Sequence, residues 1–355
     1  MDNGDGRLVA HGPSTAEAGN CKQRNMTMNC NRRTFLGLAA ATGAAGCVGT
    51  RAANDNAQKF DDNLSVFVTD IHIGGKQLDG GTEAPAYTQG RLSAFVDEVL
   101  AMKPLPRRVV SFGDLAYLRG CPDDYATSKP ILKRLEDAGI ELVFCMGNHD
   151  RRSEFNKVWP GHLEKSPVPG KFVRVVSLGT SDLVVLDCLQ GADDRPWTDS
   201  GPVPGKLTKD VLDWCKKDFP KRKRPFFVSS HFPIGDLRIN DKKNGTFAIW
   251  LLDNAPMCVG YIHGHDHRWR PEWSRGNWKS PKTIRTLCLP SNGLWGDIGH
   301  AIFRTSDDRA VCSLAVRDFY FPRKPENDKR PAVWRLKVEE NKGATCTFLY
   351  DREGV

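Results

Sequence analysis

The sequence lacks several features that would place it in a simple functional class. It contains no CxxC pair, which argues against a zinc ribbon or a dithiol redox site. It has no internal repeat, and no apolar run reaches the roughly 20 residues that cross a bilayer as a helix. The densest basic run, 216–224, does not alternate with aromatic side chains as a channel for single-stranded nucleic acid would. Nucleic acid is therefore not expected as a partner.

What is present is the composition of a folded protein. Apolar residues make up 39% of the chain and aromatic residues 9%, a balance typical of globular domains. The formal net charge is +8, a mild bias that favours anionic partners. Residues 60–355 provide enough chain for one large hydrophobic core, and we expect them to form a single domain.

The amino terminus carries an export pattern. Residues 31–36 read NRRTFL and precede an uncharged, Ala- and Gly-rich stretch that runs to residue 50. This resembles a twin-arginine export signal of bacteria. We expect residues 1–53 to be a signal region, cleaved or disordered, and the mature protein to be periplasmic or otherwise extracytoplasmic, without a transmembrane helix. The twin-arginine export machinery would then be a partner. The AAGC run ending at Cys47 resembles a lipobox, so a lipid anchor there is an alternative, and a disordered Ala-rich tail is another.

Five short segments with metal-binding side chains follow one another along the chain. They are DIH at 70–72, GD at 113–114, GNHD at 147–150, SH at 230–231 and GHDH at 264–267. Each follows an apolar run; the runs are 64–69, 109–112, 140–146, 226–229 and 259–262. Loops beyond the carboxyl ends of parallel strands meet at one edge of a sheet. We therefore expect the five segments to converge.

The spacing between the first three segments leaves room for crossover helices. Residues 87–102 and 124–138 have apolar side chains at a helical period, and a further helix is predicted at 207–218. Gly139 is placed to end the second of these helices, because a left-handed residue there costs glycine little. After residue 267 the pattern changes to short alternating strands at 283–289, 310–316, 332–338 and 345–350.

The donor types indicate the class of metal. Imidazole together with carboxylate and amide oxygen suits a transition metal better than calcium or magnesium. Two adjacent cations need a shared anionic ligand to offset their repulsion. Asp114, at the end of the second apolar run, is the natural bridge.

The ordered set D-x-H, GD, GNHD, H and GHxH resembles that of the calcineurin-like metallophosphoesterases, over about residues 64–268. The resemblance implies an α/β fold, a four-layer αββα sandwich of two mixed sheets, with the C-terminal strands completing the second sheet. It implies two divalent or trivalent transition-metal ions, of Mn, Zn, Fe or Co. One ion would be held by Asp70, His72, Asp114 and His267, and the other by Asp114, Asn148, His231 and His265.

The same resemblance implies a reaction. A hydroxide bridging the metals would hydrolyse a small phosphomonoester or phosphodiester, with His149 as general acid or phosphate ligand. The alternative is that His149 binds no substrate and only makes a hydrogen bond that supports a metal ligand. The runs GNHDRR and SHFP resemble the cyclic-nucleotide and glycerophosphodiester phosphodiesterase branch, and the GDxVDRG segment of the protein serine/threonine phosphatases is absent. Arg151 or Arg152 could bind a substrate phosphate, or be simply solvated.

Three further alternatives stay open. Tyr117 completes the GDxxY pattern of purple acid phosphatases, in which the tyrosine binds ferric iron. With His72 already available, we interpret Tyr117 as a lining or packing aromatic and keep the ligand role as the alternative. The protein could also be a secreted nuclease, or a non-enzymatic exported protein that binds metal or phosphate. The last of these leaves His149 without a role.

Overall fold

Two six-stranded mixed sheets form the centre of the structure in the residues it describes. This computed structural model describes residues 59–74, 84–189, 197–198, 201–202, 205–239, 245–275, 282–320 and 343–351. They all belong to one unit of the chain, Asn56–Val355. The predicted signal region with Cys47, and the strand predicted at 332–338, lie outside the described residues.

The described elements alternate strand and helix over the first half of the domain. The strands are β1 (Phe60–Val68), β2 (Leu105–Ser111), β3 (Glu141–Phe144), β4 (Arg174–Ser177), β5 (Asp182–Val185), β6 (Trp197–Thr198), β7 (Gly201–Pro202), β8 (Phe226–Ser229), β9 (Cys258–His263), β10 (Arg270–Arg275), β11 (Thr283–Cys288), β12 (Gly296–Thr305), β13 (Arg309–Tyr320) and β14 (Thr345–Leu349). The α-helices are α1 (Ala84–Ala101), α2 (Pro122–Asp137), α3 (Arg152–Val158), α4 (Lys209–Asp218) and α5 (Phe247–Asn254). Short 3-10 turns occur at Leu163–Lys165, Phe219–Lys221 and Ile234–Asp236.

The two sheets differ in how parallel and antiparallel strands are arranged: the first is parallel on one side and antiparallel on the other, and the second has a parallel centre with an antiparallel strand at each edge. The first sheet has the order β14-β13-β12-β1-β2-β3, in which β1, β2 and β3 run parallel. The second has the order β10-β11-β9-β8-β5-β4, in which β5, β8, β9 and β11 run parallel. Strands β6 and β7 form a separate hairpin. The parallel strands of both sheets end at the loops that carry the predicted ligands.

Three apolar layers hold the sheets and helices together. In β1, Val66 and Val68 face α1 and α2, whereas Phe67 points into the core between the sheets, as the two-residue period of a strand requires. Phe112, Phe227 and other side chains fill that central core. The far face of the second sheet packs on α4 and α5. The four-layer αββα sandwich implied by the resemblance is confirmed.

The predicted crossover helices correspond to α1, α2 and α4, with ends shifted by up to three residues. Gly139 follows α2 with φ of +84°, the left-handed stop that the sequence predicted. None of the described helices is both long enough and apolar enough to cross a membrane. The eight described cysteines are free thiols, all but Cys121 buried.

The C-terminal strands divide between the sheets, which corrects one prediction. Strand β11 joins the second sheet as expected, together with β10, which the sequence pattern did not predict. Strands β13 and β14 instead extend the first sheet through β12, a further strand that was not predicted and that pairs antiparallel with β1. Alternating polar and apolar residues show that one face of a strand is buried. They do not show which open sheet edge receives the strand, so the sequence pattern could not decide this point.

Candidate metal centre

The five predicted segments meet beyond the carboxyl ends of five parallel strands. Asp70, Asp114 and the 147–150 loop follow β1, β2 and β3, while His231 and the 264–267 loop follow β8 and β9. Backbone hydrogen bonds tie the loops together: Asp70 N donates to Gly113 O at 3.0 Å, and Gly264 N donates to His231 O at 3.1 Å. The ends of both sheets therefore supply one site.

Five of the predicted ligands have a backbone that L-residues seldom adopt. The φ angles are +51° for Asp70, +47° for His72, +52° for Asp114, +72° for His265 and +51° for His267. A non-glycine residue in such a conformation costs of the order of 1–3 kcal/mol and persists only where its surroundings fix it. This concentration of strain in one place is typical of a functional site.

The donor atoms form three overlapping groups among the described residues. Within each group the atoms lie within 4.8 Å of one another. The groups are Asp70, His72 and His267; His72, Asp114 and His149; and Asp114, His231 and His265. Asn148 joins the third group, because its Oδ1 lies 3.0 Å from His231 Nε2. The first group thus holds three of the four residues predicted for one ion, without Asp114, and the third together with Asn148 holds the four predicted for the other. The second group adds His149 as a further candidate ligand.

Four of the histidines are oriented by backbone carbonyls. The Nδ1 contacts are His72 to Tyr117 O at 3.0 Å, His149 to Leu118 O at 3.0 Å, His231 to Phe112 O at 2.9 Å and His267 to Leu294 O at 2.8 Å. A carbonyl oxygen only accepts, so each Nδ1 carries a proton and donates it. The Nε2 atom of each neutral ring then presents a lone pair to the site, as in metal-bound histidines.

The carboxylates are oriented in the same way. Asp70 Oδ2 accepts hydrogen bonds from Thr69 Oγ1 at 2.7 Å and from His265 N at 3.0 Å. Its Oδ1 is buried and faces the imidazoles, the nearest nitrogen being His267 Nε2 at 3.0 Å. Asp114 Oδ1 accepts from His149 N at 2.8 Å. In both residues one oxygen is anchored and the other is directed at the imidazoles.

Acceptor atoms face one another across this site. The Nε2 atoms of His72 and His267 are 3.2 Å apart. His231 Nε2 lies 3.2 Å from His265 Nδ1 and 3.1 Å from Asp114 Oδ2. Neutral imidazole lone pairs at these distances repel each other and the carboxylates unless a cation or a proton lies between them. The buried Asp70 Oδ1, 3.0 Å from His267 Nε2, completes a donor set that fits transition-metal ions.

The pKa values of the aspartates and histidines agree with a cation-binding site. Burial disfavours the charge of Asp114, but His231 and His149 hold the pKa of its carboxyl well below its usual range. Burial also opposes the charge of His231, yet Asp114 and Asp70 raise its pKa to about 9. For His72 burial is the main effect and lowers the pKa to about 3. Anionic carboxylates thus surround a position where positive charge is strongly favoured.

Asp150 fixes two of the loops and is not itself in a donor group. This buried carboxylate accepts hydrogen bonds from Ala116 N at 3.1 Å, Gly147 N at 2.9 Å and the Tyr125 hydroxyl at 3.2 Å. The sequence placed Asp150 in the GNHD segment without giving it a role. Its contacts connect the loop after β2 to the loop after β3.

A sixth loop, residues 291–295, was not predicted as part of the site. Ser291 Oγ donates to Asp70 O at 2.7 Å and Gly293 N donates to the same oxygen at 3.1 Å. The carbonyls of Leu294 and Trp295 accept from His267 Nδ1. The loop follows β11, another parallel strand, and that position is the signal that could have identified it. This loop was not identified from the sequence because it contacts the site mostly through backbone groups.

Replacing Gly293 by Ala should disrupt the centre, because the new Cβ would lie 2.0 Å from Ile71 O. We expect Gly293→Ala to lower the metal content of the purified protein and its melting temperature. Metal analysis and thermal denaturation would test this. The matched control is Gly90→Ala in α1, where nothing lies within 4 Å of the added carbon. That change should leave the metal content unchanged and stabilise the protein by up to about 1 kcal/mol. Equal metal content in both variants would contradict a positioning role for the loop.

Tyr117 packs against the centre. It is 8% exposed, its ring stacks on Trp295 with centroids 5.9 Å apart, and its backbone carbonyl holds His72. Trp295 in turn stacks on His267 at 6.1 Å and has a strained φ of +64°. These contacts agree with the interpretation of Tyr117 as a lining and packing aromatic.

The two arginines after the GNHD segment differ. Arg151 is half-buried, and its backbone N donates to the Tyr125 hydroxyl at 2.7 Å. Arg152 is buried and makes a two-pronged contact with the carboxylate of Asp187, with Nε and Nη2 each 2.6 Å from an oxygen. It also donates to Leu189 O at 2.7 Å. The phosphate contact predicted for Arg152 has no support in this arrangement, whereas that of Arg151 remains a prediction.

Arg152→Leu is expected to destabilise the fold strongly. Removing one partner leaves Asp187, which is 0% exposed, as a buried charge without its cation, a change that typically costs about 3–5 kcal/mol. Chemical denaturation would measure the loss. Lys157→Ala on the same helix is the control, because its pair with Glu154 lies at the surface and should contribute under about 1 kcal/mol. A loss for Arg152→Leu no larger than for the control would contradict this assignment.

Comparison with known proteins agrees with the geometry. Residues 65–269, more than half of the chain, match a protein family described as calcineurin-like phosphoesterase. A cAMP/cGMP dual specificity phosphodiesterase of Mycobacterium tuberculosis is 29% identical over 129 residues, which are 36% of this chain and 38% of that protein. The chain thus spans well under half the length of this curated relative. A dimetal phosphatase of Danio rerio superposes with a TM-score of 0.51 at 13% identity, over 72% of this chain and 96% of that one, and shows a common fold.

Proposed function

Because the chain belongs to the calcineurin-like phosphoesterase family, we propose that it is a hydrolase of phosphoric ester bonds. It would cleave phosphodiesters at a centre of two transition-metal ions. The observation that carries the proposal is two pairs of imidazole nitrogens that face each other, His72 with His267 and His231 with His265. Only cations or protons make that arrangement favourable. Mn, Zn, Fe and Co are the candidate metals.

The number of ions is proposed from the sharing of one carboxylate. Asp114 Oδ2 lies 3.1 Å from His231 Nε2 and 3.9 Å from His72 Nε2, so it faces a donor group on either side. A shared anionic ligand offsets the repulsion of neighbouring cations. Asp70, His72 and His267 would hold one ion with Asp114, and Asn148, His231 and His265 would hold the other.

The chain's own residues would divide the chemistry. When bound, a metal pair supplies a water of lowered pKa and binds the phosphoryl oxygens. Asp114 and Asp70 would supply the negative charge that holds the cations, and the carbonyls of Phe112 and Tyr117 bind the Nδ1 atoms of His231 and His72, so that Nε2 is the atom each ring directs at the site.

His149 is the proposed general acid. Its Nδ1 is occupied by Leu118 O, so only Nε2 can reach a substrate, and this atom lies 3.8 Å from Asp114 Oδ2. Burial is the main effect on His149 and lowers its pKa, although Asp114 opposes the change. The role rests on position: the neighbouring Asp114 carboxylate would stabilise a protonated ring, which would pass its proton from Nε2 to the departing alkoxide.

Phosphodiesters are favoured over phosphomonoesters as substrates for two reasons. The GNHDRR and SHFP segments resemble the cyclic-nucleotide and glycerophosphodiester branch, and a relative over part of the chain is a cAMP/cGMP phosphodiesterase. The test is turnover of bis(4-nitrophenyl) phosphate, cyclic AMP and 4-nitrophenyl phosphate by the full chain supplied with Mn or Zn. Faster turnover of the diesters supports the proposal. Preference for the monoester would overturn it while leaving the family unchanged, and cleavage of DNA would favour a nuclease.

We also propose that the protein is exported by the twin-arginine route to the periplasm or cell exterior. The support is the NRRTFL run and the uncharged stretch after it, both outside the described residues. Changing Arg32 and Arg33 together to Lys should retain the protein in the cytoplasm, as measured by cell fractionation. Unchanged export of the double variant would refute this route.

A further inference from the structure

A cavity of about 590 Å³ lies at the end of the second sheet opposite the metal centre. Val259 near the start of β9 and Ile284 and Arg285 near the start of β11 line it, together with Phe348 of β14. The metal centre lies beyond the other end of β9, so about 13 Å of strand separates Val259 from His263. The cavity is within the range of about 300–1,000 Å³ that small ligands occupy.

The cavity has apolar walls and an unusual mouth. Leu252, Val259, Ile284 and Phe348 are buried side chains that line it. Trp273 and Leu349 also line it and are 51% and 50% exposed, which makes them the two most exposed large apolar side chains of the described residues. Exposed apolar side chains gathered at one opening are typical of a binding site.

Arg285 gives the cavity a positive end. Its guanidinium lies over the Trp273 ring at 5.1 Å and within reach of the Cys346 sulfur. Its Nε is buried without a hydrogen-bond partner, and no carboxylate of the described residues forms an ion pair with it. The neighbouring Lys282 differs, since its ammonium lies 3.1 Å from Asp253 Oδ1.

We propose that this cavity binds a small amphiphilic anion. The apolar or aromatic body would lie against Val259, Phe348 and Trp273, and the anionic group would accept hydrogen bonds from Arg285. A guanidinium is suited to this because its planar N–H groups match the oxygens of a carboxylate, sulfonate or phosphate. The site is separate from the metal centre and does not depend on which phosphoester the protein cleaves.

The first test is titration of the full chain with 1-anilinonaphthalene-8-sulfonate, an aromatic sulfonate that fluoresces in apolar surroundings. We expect saturable binding at one site that inorganic phosphate does not displace, since phosphate would occupy the metal centre. Dodecanoate should displace the probe at least about tenfold more effectively than dodecanol, because only the acid can bond to Arg285. Absence of saturable binding, or displacement by phosphate, would overturn the proposal.

Variants then locate the site. Arg285→Gln should weaken binding of the probe by about tenfold or more, the usual effect of losing a charge-assisted hydrogen bond. Leu349→Asp places a negative charge at the half-exposed mouth without opening the core, and should weaken binding even if Arg285→Gln fails to fold. Arg304→Gln is the control, because Arg304 is exposed and paired with Asp61 elsewhere. Unchanged affinity in Leu349→Asp and in folded Arg285→Gln would refute this location.

Discussion

Asp114→Asn is expected to remove metal-dependent phosphodiester hydrolysis almost completely. The amide keeps the shape of the carboxylate but cannot supply the negative charge that faces both donor groups. We expect kcat/KM to fall by at least about 10²–10³-fold, the range found when one electrostatic contact of an active site is removed. The metal content should fall as well. Steady-state assays with metal analysis of the same preparation would show both effects.

The control for this change is Asp137→Asn. Asp137 is 61% exposed and pairs with Lys133 on the surface of α2. Its loss should leave both turnover and metal content close to those of the unmodified protein. If Asp114→Asn behaves like Asp137→Asn, a shared carboxylate is not needed and the proposed two-metal centre is wrong.

His149→Ala is expected to lower turnover while the bound metal remains. The loss should be about 10²–10⁴-fold for a substrate with a poor leaving group, because a general acid matters most when the departing alkoxide is basic. For a 4-nitrophenyl ester, whose leaving group needs little protonation, the loss should be clearly smaller. The ratio of the two losses is an internal control, since general damage to the site would reduce both alike.

Metal analysis of the same variant distinguishes the remaining roles of His149. Its Nε2 lies in a donor group with His72 and Asp114, so a metal-ligand role is the specific alternative. Loss of one metal per chain in His149→Ala would assign it to that role and contradict the general-acid assignment. A purely metal-binding protein would show no turnover before or after the substitution.

The candidate ligands could be identified from the sequence because each segment that carries them comes soon after an apolar strand. The residue type shows which side chains can bind a metal, and the hydrophobic pattern shows where a strand ends. Asp70, Asp114 and His231 were therefore identifiable without a structure. The helices could be predicted because their apolar side chains recur at the helical period. Gly139 was predictable because its role depends on a property that glycine shares with almost no other residue.

The supporting contacts could not be predicted, since they depend on tertiary placement. The loop of Gly293 and Leu294 acts through amide and carbonyl groups that every residue carries. The pair of Arg152 and Asp187 joins residues 35 positions apart, with nothing in either neighbourhood to indicate the other. The strained φ angles of Asp70 and His267 arise from the surrounding hydrogen bonds and not from local preference.

The most direct test of the account is the metal content of the purified full chain, measured by mass spectrometry together with its turnover of bis(4-nitrophenyl) phosphate. The account predicts two transition-metal ions per chain, loss of turnover when a chelator removes them, and recovery when Mn or Zn is restored. Turnover that persists after the metal is removed, or a chain that binds no metal under any of these conditions, would contradict it.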